Sequence, residues 1–212
     1  MSTKILVFFE QRNGEIKKSS LETINFAKLI SANAESEFDA VVLGGELDPS
    51  ISSGFNGVNK ITHLKNSQLE IYSSSGYTDV LVNFINNYGA KLIVFSDTAM
   101  GQDLAPRVAA KLNAGLAVDV TEVKTEGEHI IYTRPVYAGK AMIDFKVLSD
   151  ISVVTIRPNI FKSEGGDDGQ VEIEVVEVGD VNLNSRTVEI KKLAEKLDVS
   201  EADIIVSGGR GL

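Results

Sequence analysis

The sequence predicts an α/β fold, a mostly parallel sheet flanked by helices with added antiparallel strands. Two patterns in its 212 residues favour this class. In the first half, short runs of β-branched and aromatic residues alternate with longer segments of helical periodicity, the order expected of parallel strands joined by helical crossovers. After Gly115, apolar runs follow one another with only short turns between them, which is typical of hairpins or of a mixed edge on the sheet.

Three strands are predicted in the first half because their residues are apolar on both faces, as in buried parallel strands. They cover residues 5–9, 40–43 and 92–95. Two amphipathic helices are predicted between them. The first follows Ser19 and Ser20, which are candidate N-caps, and the second ends at Gly89. Their apolar positions are Leu21, Ile24, Ala27 and Ile30 in the first helix, and Val80, Leu81, Phe84, Ile85 and Tyr88 in the second.

A third helix is predicted over about residues 103–114. Asp103 is the expected N-cap, and Pro106 then falls in the first turn, where its missing N–H is harmless. Gly115 is expected to take the left-handed position after the helix. Arg107 and Lys111 share one face of this helix, and such a basic stripe is typical of a solvated helix surface.

Five short strands are predicted after this helix. They lie near residues 118–120, 129–132, 142–145, 152–156 and 171–178. The last alternates Glu172, Glu174 and Glu177 with β-branched residues, as in a charged edge strand. Residues 162–180 hold seven acidic residues and one basic residue, so most of the negative charge falls here. A solvated edge explains this charge best, and an acidic docking face is the alternative.

Composition excludes several classes of protein. With 30 acidic and 21 basic residues the formal net charge is −9, which argues against nucleic acid or an anionic membrane as the main partner. The absence of cysteine excludes disulfide scaffolds, zinc ribbons, iron–sulfur ligation and thiol catalysis. The first apolar run is too short for a signal peptide, and no segment is long enough to span a membrane. We therefore expect a soluble, cytoplasmic protein.

Hydrolytic or metal chemistry is not predicted. His63 and His129 lack Ser and Asp neighbours at a recognisable spacing, so both are interpreted as structural or surface residues. Glu164, Asp167 and Asp168 lie in a glycine-rich stretch without the regular ligand spacing of a calcium loop.

The last residues form the sharpest local signal. After a predicted strand at 202–206 come Ser207, Gly208, Gly209, Arg210 and Gly211. The glycines let a ligand approach the backbone closely, and the Arg210 guanidinium is a planar donor suited to phosphate or to a ring edge. The segment completes neither G-x-G-x-x-G nor a P-loop, so a plain turn fits its spacing equally well.

A second candidate is the segment from Arg134 through Pro135 and Tyr137 to Gly139 and Lys140. Pro135 fixes the backbone and Gly139 allows a tight bend. Either Arg134 and Tyr137 present polar tips to a partner, or the segment is a hairpin with an exposed Arg and a half-buried Tyr.

Four segments together resemble the alpha subunit of electron-transfer flavoprotein, in the order and at the separations of that family. They are residues 102–115, which begin QDLAPRVAAKL, residues 134–141, RPVYAGKA, residues 156–161, IRPNIF, and residues 201–211, EADIIVSGGRG. The resemblance covers essentially the whole chain.

The resemblance implies a division of the chain into three parts. Residues 1–185 would form an N-terminal α/β domain related to the adenine-nucleotide α-hydrolase-like fold, which packs against a beta subunit. Residues 186–200 would be a linker helix. Residues 201–212 would be the first strand and glycine loop of a truncated flavodoxin-like FAD-binding domain. In that loop Ser207, Gly208, Gly209, Arg210 and Gly211 would contact FAD, with Arg210 reaching toward the flavin.

The function implied by the resemblance is that of an electron carrier and not of an enzyme. Such proteins carry electrons from acyl-CoA-type dehydrogenases to a quinone oxidoreductase or another acceptor through FAD, as in fatty acid β-oxidation. The family's later FAD motifs, a Ser-Arg pair and a Gly-Gln-Thr-Gly segment, have no counterpart in these 212 residues. We therefore expect a fragment that retains the beta-subunit docking domain and does not hold FAD by itself.

Two departures from the family pattern are mild: Gln102 replaces a lysine, and Lys140 stands where asparagine is common.

Two other functions remain open. A nucleotide-binding, stress-protein-like α/β module would need a phosphate loop after the first strand, where residues 10–14 read Glu-Gln-Arg-Asn-Gly. A pure scaffold fits the composition but does not account for the four segments.

Overall fold

The computed structural model describes residues 4–34, 37–48, 55–127, 129–161, 171–187 and 206–209. Within them the strands are β1 (Ile5–Phe9), β2 (Gln11–Arg12), β3 (Glu15–Ile16), β4 (Phe38–Gly44), β5 (Lys60–Lys65), β6 (Leu92–Ser96), β7 (Gly115–Val120), β8 (Glu122–Glu126), β9 (His129–Val136), β10 (Ala141–Phe145), β11 (Ser152–Ile156) and β12 (Glu172–Glu177). The helices are α1 (Lys18–Ala34), α2 (Ser74–Tyr88) and α3 (Ala99–Leu112), and a 3-10 turn covers Ser67–Leu69.

A seven-stranded sheet in the order β12-β5-β4-β1-β6-β11-β7 forms the centre of the described chain. All its neighbouring strands are parallel. Side chains alternate between two cores, one under α1, which includes Val7 and Phe26, and one under α2 and α3, which includes Leu6 and Leu104. The α/β class is thereby confirmed, because both faces of a parallel sheet are covered.

The strands of the second half divide between two sheets. β8, β9 and β10 form a separate three-stranded antiparallel sheet, as expected of hairpins. The expectation of hairpins or a mixed edge is wrong for β7 and β11, which are parallel strands of the main sheet. The buried side chains of β11, such as Val153 and Val154, explain this, since a strand between two neighbours needs apolar residues on both faces.

Helix α1 begins one residue before Ser19, so neither Ser19 nor Ser20 caps it. Ser20 instead ties the helix to the end of β1. Its hydroxyl accepts a hydrogen bond from the Glu10 amide at 2.9 Å and donates to the Glu10 carbonyl at 3.3 Å. A serine in the first turn can satisfy neighbouring backbone groups without being the N-cap residue.

Helix α2 ends as predicted. Gly89 lies at φ 78°, in the left-handed region that closes helices at low cost for glycine. At the start of α2, Ser73 is the N-cap, and its hydroxyl accepts a hydrogen bond from the Gly76 amide. The same hydroxyl donates to the carbonyl of Ser185 at 2.6 Å.

Residues 181–187 are held against the start of α2. The Ser185 amide donates to the Ser75 hydroxyl at 3.1 Å, and the Thr187 hydroxyl donates to the Tyr72 carbonyl at 3.1 Å. Gly76 makes this approach possible, because a Cβ atom there would lie 2.8 Å from a methyl carbon of Leu183. This segment is therefore fixed to the start of α2.

Helix α3 starts four residues before Asp103, so the predicted N-cap is wrong. Thr98 caps it, with its hydroxyl accepting a hydrogen bond from the Gly101 amide at 3.1 Å. Pro106 therefore lies inside the helix and leaves the Gln102 carbonyl without its usual helical donor.

The end of α3 also differs from the prediction. Asn113, at φ 51°, takes the left-handed position, and Gly115 already begins β7. Gly115 is needed for a packing reason, since a Cβ atom there would lie 2.3 Å from a methyl carbon of Val147. Asparagine is the non-glycine residue that tolerates the left-handed region best.

Strand β12 is the predicted charged edge. Glu174 lies 2.7 Å from the Lys60 ammonium, and Glu177 lies 3.6 Å from that of Lys65, on the neighbouring strand β5. These carboxylates are half or more exposed, so the pairs are solvated and add little to stability. The contacts favour a solvated edge over an acidic docking face.

Several predictions lie outside the described residues. They are the helix after Thr187, the strand that leads to Val206, and the acidic stretch at 164–168. Among the described residues no helix is long and apolar enough to cross a membrane.

We expect Gly101→Ala to destabilise the fold. A Cβ atom at Gly101 would lie 1.8 Å from the carbonyl oxygen of Ser96, where the first turn of α3 touches the end of β6. The backbone must shift, and we expect a loss of about 3 kcal/mol in the free energy of unfolding, measured by urea titration. Gly179→Ala is the control, because a Cβ atom there meets nothing within 4 Å. Equal unfolding midpoints for the Gly101 variant and the wild type would contradict this expectation.

We expect His63 to make stability depend on pH. His63 is 3% exposed on β5, and its Nε2 has no hydrogen-bond partner among the described residues. Burial lowers its pKa below the ordinary 6.5, opposed by contacts with the Gly44 and Gly45 backbone. The unfolded chain therefore binds a proton that the folded chain does not, and the free energy of unfolding falls as pH drops below about 6.5.

The check is urea unfolding of wild type and His63→Gln between pH 7.5 and pH 5. The wild type should lose more stability than the variant over this range. The exposed His129 supplies a matched control, His129→Gln. Parallel pH profiles for wild type and His63→Gln would refute the role of the buried imidazole.

Candidate functional site at the carboxyl edge of the sheet

The order of the strands marks one place where a ligand could bind. From β1 the chain passes to β4 and β5 on one side, and later to β6 and β11 on the other. In open α/β sheets, ligands bind in the crevice outside the carboxyl ends of the strands at such a switch point. The loops after β1 and β6, which are neighbours in the sheet, border this crevice.

The chain itself fills the β1 side of this crevice. Gln11 follows β1 and is 6% exposed, with its Nε2 donating to the Tyr77 hydroxyl at 3.3 Å and its Oε1 accepting from the Gly14 amide at 3.1 Å. The Tyr77 hydroxyl donates to the Leu69 carbonyl at 2.8 Å, and burial raises the pKa of Tyr77 to about 12. A short β2–β3 hairpin thus stands where a phosphate loop would have to be.

A carboxylate occupies the β6 side. The Thr98 hydroxyl donates to the Glu10 carboxylate at 2.5 Å, directly at the N-terminus of α3. Helix N-termini attract anions, and here the chain supplies its own. A phosphate group would meet a negative charge, so these contacts argue against the nucleotide-binding alternative.

A hydrogen-bonded network joins the carboxyl ends of β6, β11 and β7, which are neighbours in the main sheet. The Thr155 hydroxyl donates to Asp97 at 2.5 Å and accepts from the Asp119 amide at 3.0 Å. Arg157 binds both carboxylate oxygens of Asp119, at 2.7 and 2.6 Å. This hydrogen bonding raises the pKa of Arg157. Asp119 itself lies at φ 59°, a left-handed conformation that aspartate tolerates better than most residues.

A cleft of about 490 Å³ opens beside this network. Leu116, Val118 and Pro106 supply apolar surface, and Gln102 and Asp97 supply polar atoms. Gln102 already donates to Asp97 at 3.0 Å. The polar groups named here are paired with one another and include no nucleophile with an adjacent base, so they offer orientation and not acid–base chemistry.

Sequence reasoning missed this network. Its members belong to the ends of β6, β7 and β11, and only the pairing of β11 between the other two brings them together. The one available signal was Arg157 in the IRPNIF segment.

Of the predicted ligand loop, Ser207, Gly208 and Gly209 are described, and they are exposed without regular structure. A Cβ atom at Gly209 would meet nothing within 4 Å. Arg210 and Gly211 lie outside the described residues. The assignment of this loop to a ligand therefore stays a prediction.

The segment from Arg134 to Lys140 is a hairpin, but the expected exposures are reversed. Tyr137 is 82% exposed and not half-buried. Arg134 lies against the sheet, with its Nε buried and its guanidinium carbon 5.7 Å from the centre of the Phe145 ring. The strands on either side are β9 and β10.

The basic stripe on α3 is a solvated surface, and both of its cations form ion pairs with carboxylates of the same chain. Arg107 lies 2.8 Å from Asp103, and Lys111 lies 2.5 Å from Asp79 on α2. The Tyr72 hydroxyl also donates to Asp103 at 2.6 Å, and this bond, with that from Arg107, lowers the pKa of Asp103. Each of the two cations is paired with a carboxylate and remains about half exposed, as is usual on a solvated helix surface.

The histidines fit their structural interpretation. His63 is buried in β5, and His129 is the exposed first residue of β9. In the part of the chain that the structure describes, no group of three or more His, Asp or Glu side chains could hold a metal ion.

Comparison with known proteins supports the resemblance, and three of the four segments lie within the part of the chain that a family model matches. The family model of the electron transfer flavoprotein domain matches residues 5–181. The chain is 35% identical to the electron transfer flavoprotein subunit alpha of Bacillus subtilis, covering 100% of this chain and 66% of that protein. It is 32% identical to Protein FixB of Clostridium saccharobutylicum and 31% identical to the electron transfer flavoprotein subunit alpha of Clostridium acetobutylicum, covering 98% of this chain in both cases.

The chain spans slightly less than two thirds of these relatives, 66%, 64% and 65% of their lengths. The family match covers the seven strands of the main sheet and the small antiparallel sheet. The chain belongs to the electron transfer flavoprotein domain family.

Proposed function

We propose that this chain is part of the alpha subunit of an electron-transfer flavoprotein, a carrier of electrons and not an enzyme with a substrate of its own. The observation that carries the proposal is the family match over residues 5–181, together with relatives named as alpha subunits that align along the whole chain. The crevice at the switch point also disfavours the alternative of a nucleotide-binding module. Such a module would need free backbone amides where Gln11 and Glu10 lie.

FAD is the cofactor of the proposed carrier. The described part of the terminal loop leaves space for a flavin to approach its backbone. Its residues Ser207, Gly208 and Gly209 are exposed, and a Cβ atom at Gly209 would meet nothing within 4 Å. Together with Arg210 and Gly211 they would hold the cofactor, which supplies the redox chemistry. The Arg210 guanidinium would stabilise the negative charge that the flavin ring gains on reduction.

The described domain would then act as the docking part of the subunit, in a heterodimer with a beta subunit. Electrons would come from acyl-CoA-type dehydrogenases and pass to a quinone oxidoreductase or another acceptor. The proposal includes a cytoplasmic location, which cell fractionation with an antibody against the chain would test.

We expect the 212-residue chain to form a 1:1 complex with the beta subunit from the same organism. Size-exclusion chromatography with light scattering gives the mass of the complex, and isothermal calorimetry gives its dissociation constant. The matched control is Gly101→Ala, which should weaken complex formation only as far as it unfolds the chain. The absence of any complex with the folded wild type would overturn the docking role.

We expect the chain alone to bind FAD weakly, because the later FAD motifs of the family are not among its 212 residues. Titration of FAD with the chain, followed by flavin fluorescence, should show no stoichiometric endpoint at micromolar concentrations. A second titration with Arg210→Ala serves as the control for the terminal loop. A yellow, stoichiometric complex of the wild-type chain would show that these residues suffice for a flavin site.

A further inference from the structure

Asparagine followed by glycine occurs twice in the chain, at Asn13-Gly14 and at Asn56-Gly57. This dipeptide is reactive, because glycine has no Cβ atom to keep its backbone nitrogen away from the asparagine side chain. When that nitrogen loses its proton, it can attack the side-chain carbonyl carbon and displace the amide group as ammonia. Since the two sites share this chemistry, their surroundings in the fold decide which of them reacts.

The fold protects the first site. Asn13 at φ 55° and Gly14 at φ 84° form the two-residue turn of the β2–β3 hairpin, a conformation that Asn-Gly favours. The Gly14 amide donates to Gln11 Oε1 at 3.1 Å, and the Gly14 carbonyl accepts from the Asp48 amide at 3.0 Å. Gly14 is also buried, so its nitrogen keeps its proton until the hairpin opens.

The second site lacks this protection. Asn56 and Gly57 are both exposed, at the centre of a turn between β4 and β5 that the Val58 amide closes by donating to the Phe55 carbonyl at 3.1 Å. Gly57 lies at φ 97°, as glycine does at the third position of a type II turn. Among the described residues, neither the Asn56 side chain nor the Gly57 amide has a hydrogen-bond partner. The Gly57 nitrogen is therefore open to water and base.

We infer that Asn56 is a site of spontaneous modification in the folded protein, where it converts through a cyclic imide to aspartate and isoaspartate while Asn13 is retained. The bond that forms joins the Gly57 nitrogen to the side-chain carbonyl carbon of Asn56, and the bond that breaks releases ammonia. Water then opens the ring. Cleavage at the side-chain carbonyl gives aspartate, and cleavage at the original main-chain carbonyl gives isoaspartate. The whole reaction consumes water, releases ammonia and involves no oxidation or reduction.

The two products differ in their effect on the domain. Phe55 and Val58, on either side of the dipeptide, are 5% and 6% exposed, and the Phe55 ring lies 5.1 Å from that of Phe9. Aspartate leaves the backbone unchanged, and its charge has a cation nearby, since Lys28 Nζ lies 3.3 Å from the position of a Cβ atom on Gly57. Isoaspartate adds an atom to the main chain between the two buried residues, so they cannot both keep their places in a close-packed core.

The test incubates the folded 212-residue chain at mildly alkaline pH and follows both sites by peptide mapping with mass spectrometry. Asn56 should convert at least about tenfold faster than Asn13, because a hydrogen bond and burial restrain the Gly14 nitrogen. In urea above the unfolding transition the two rates should become similar. Asn56→Gln should abolish the fast conversion, since its longer side chain closes a less favourable ring. Equal rates in the folded chain, or a difference that persists in urea, would overturn the inference.

Asn56→Asp is the matched control for the effect of charge. Its unfolding midpoint in urea should stay close to that of the wild type. The isoaspartate form, separated by ion exchange from the aged protein and identified by electron-transfer fragmentation, should unfold at a lower urea concentration. An isoaspartate form as stable as Asn56→Asp would refute the effect of the modification on the core.

Discussion

The junction between β6 and α3 is the constraint on which the carboxyl edge of the domain depends. At Gly101 the first turn of the helix lies against the carbonyl oxygen of Ser96, at a distance that excludes any side chain. Thr98 then caps the helix with one hydroxyl that also donates to Glu10, so a single residue joins the ends of β1 and β6. The position of α3, and with it one of the two cores, follows from this close approach.

The same junction explains why the N-terminus of α3 is an unfavourable place for a phosphate. Glu10 supplies the negative charge that the N-terminus of α3 attracts, and Gln11 covers the neighbouring strand end. Asp97 and Asp119 continue the pattern, since Thr155 and Arg157 already satisfy their oxygens.

The sequence predicts most strands correctly because burial on both faces leaves a continuous apolar run, as at 5–9 and 92–95. Helix starts are less predictable, since capping depends on which hydroxyl the preceding loop brings to the first turn. Asp103 has the right chemistry for an N-cap, but it pairs with Arg107 and Tyr72, while Thr98 takes the cap. Strand partners are the least predictable, because β11 reaches its place between β6 and β7 only through pairing of distant residues. The terminal loop is predicted to bind a ligand from its glycines and its family resemblance, and local sequence carries no information on what surrounds it.

The way residues 181–187 are fastened has a mechanical consequence. The hydroxyls of Ser73 and Ser75 form hydrogen bonds with the backbone of Ser185. The Thr187 hydroxyl donates to the carbonyl of Tyr72, so all three bonds lie at the start of α2. Thr187 is thus bonded to the residue just before the cap of α2. A pull on the chain at this point loads the first turn of α2 and its cap before it reaches any strand of the sheet.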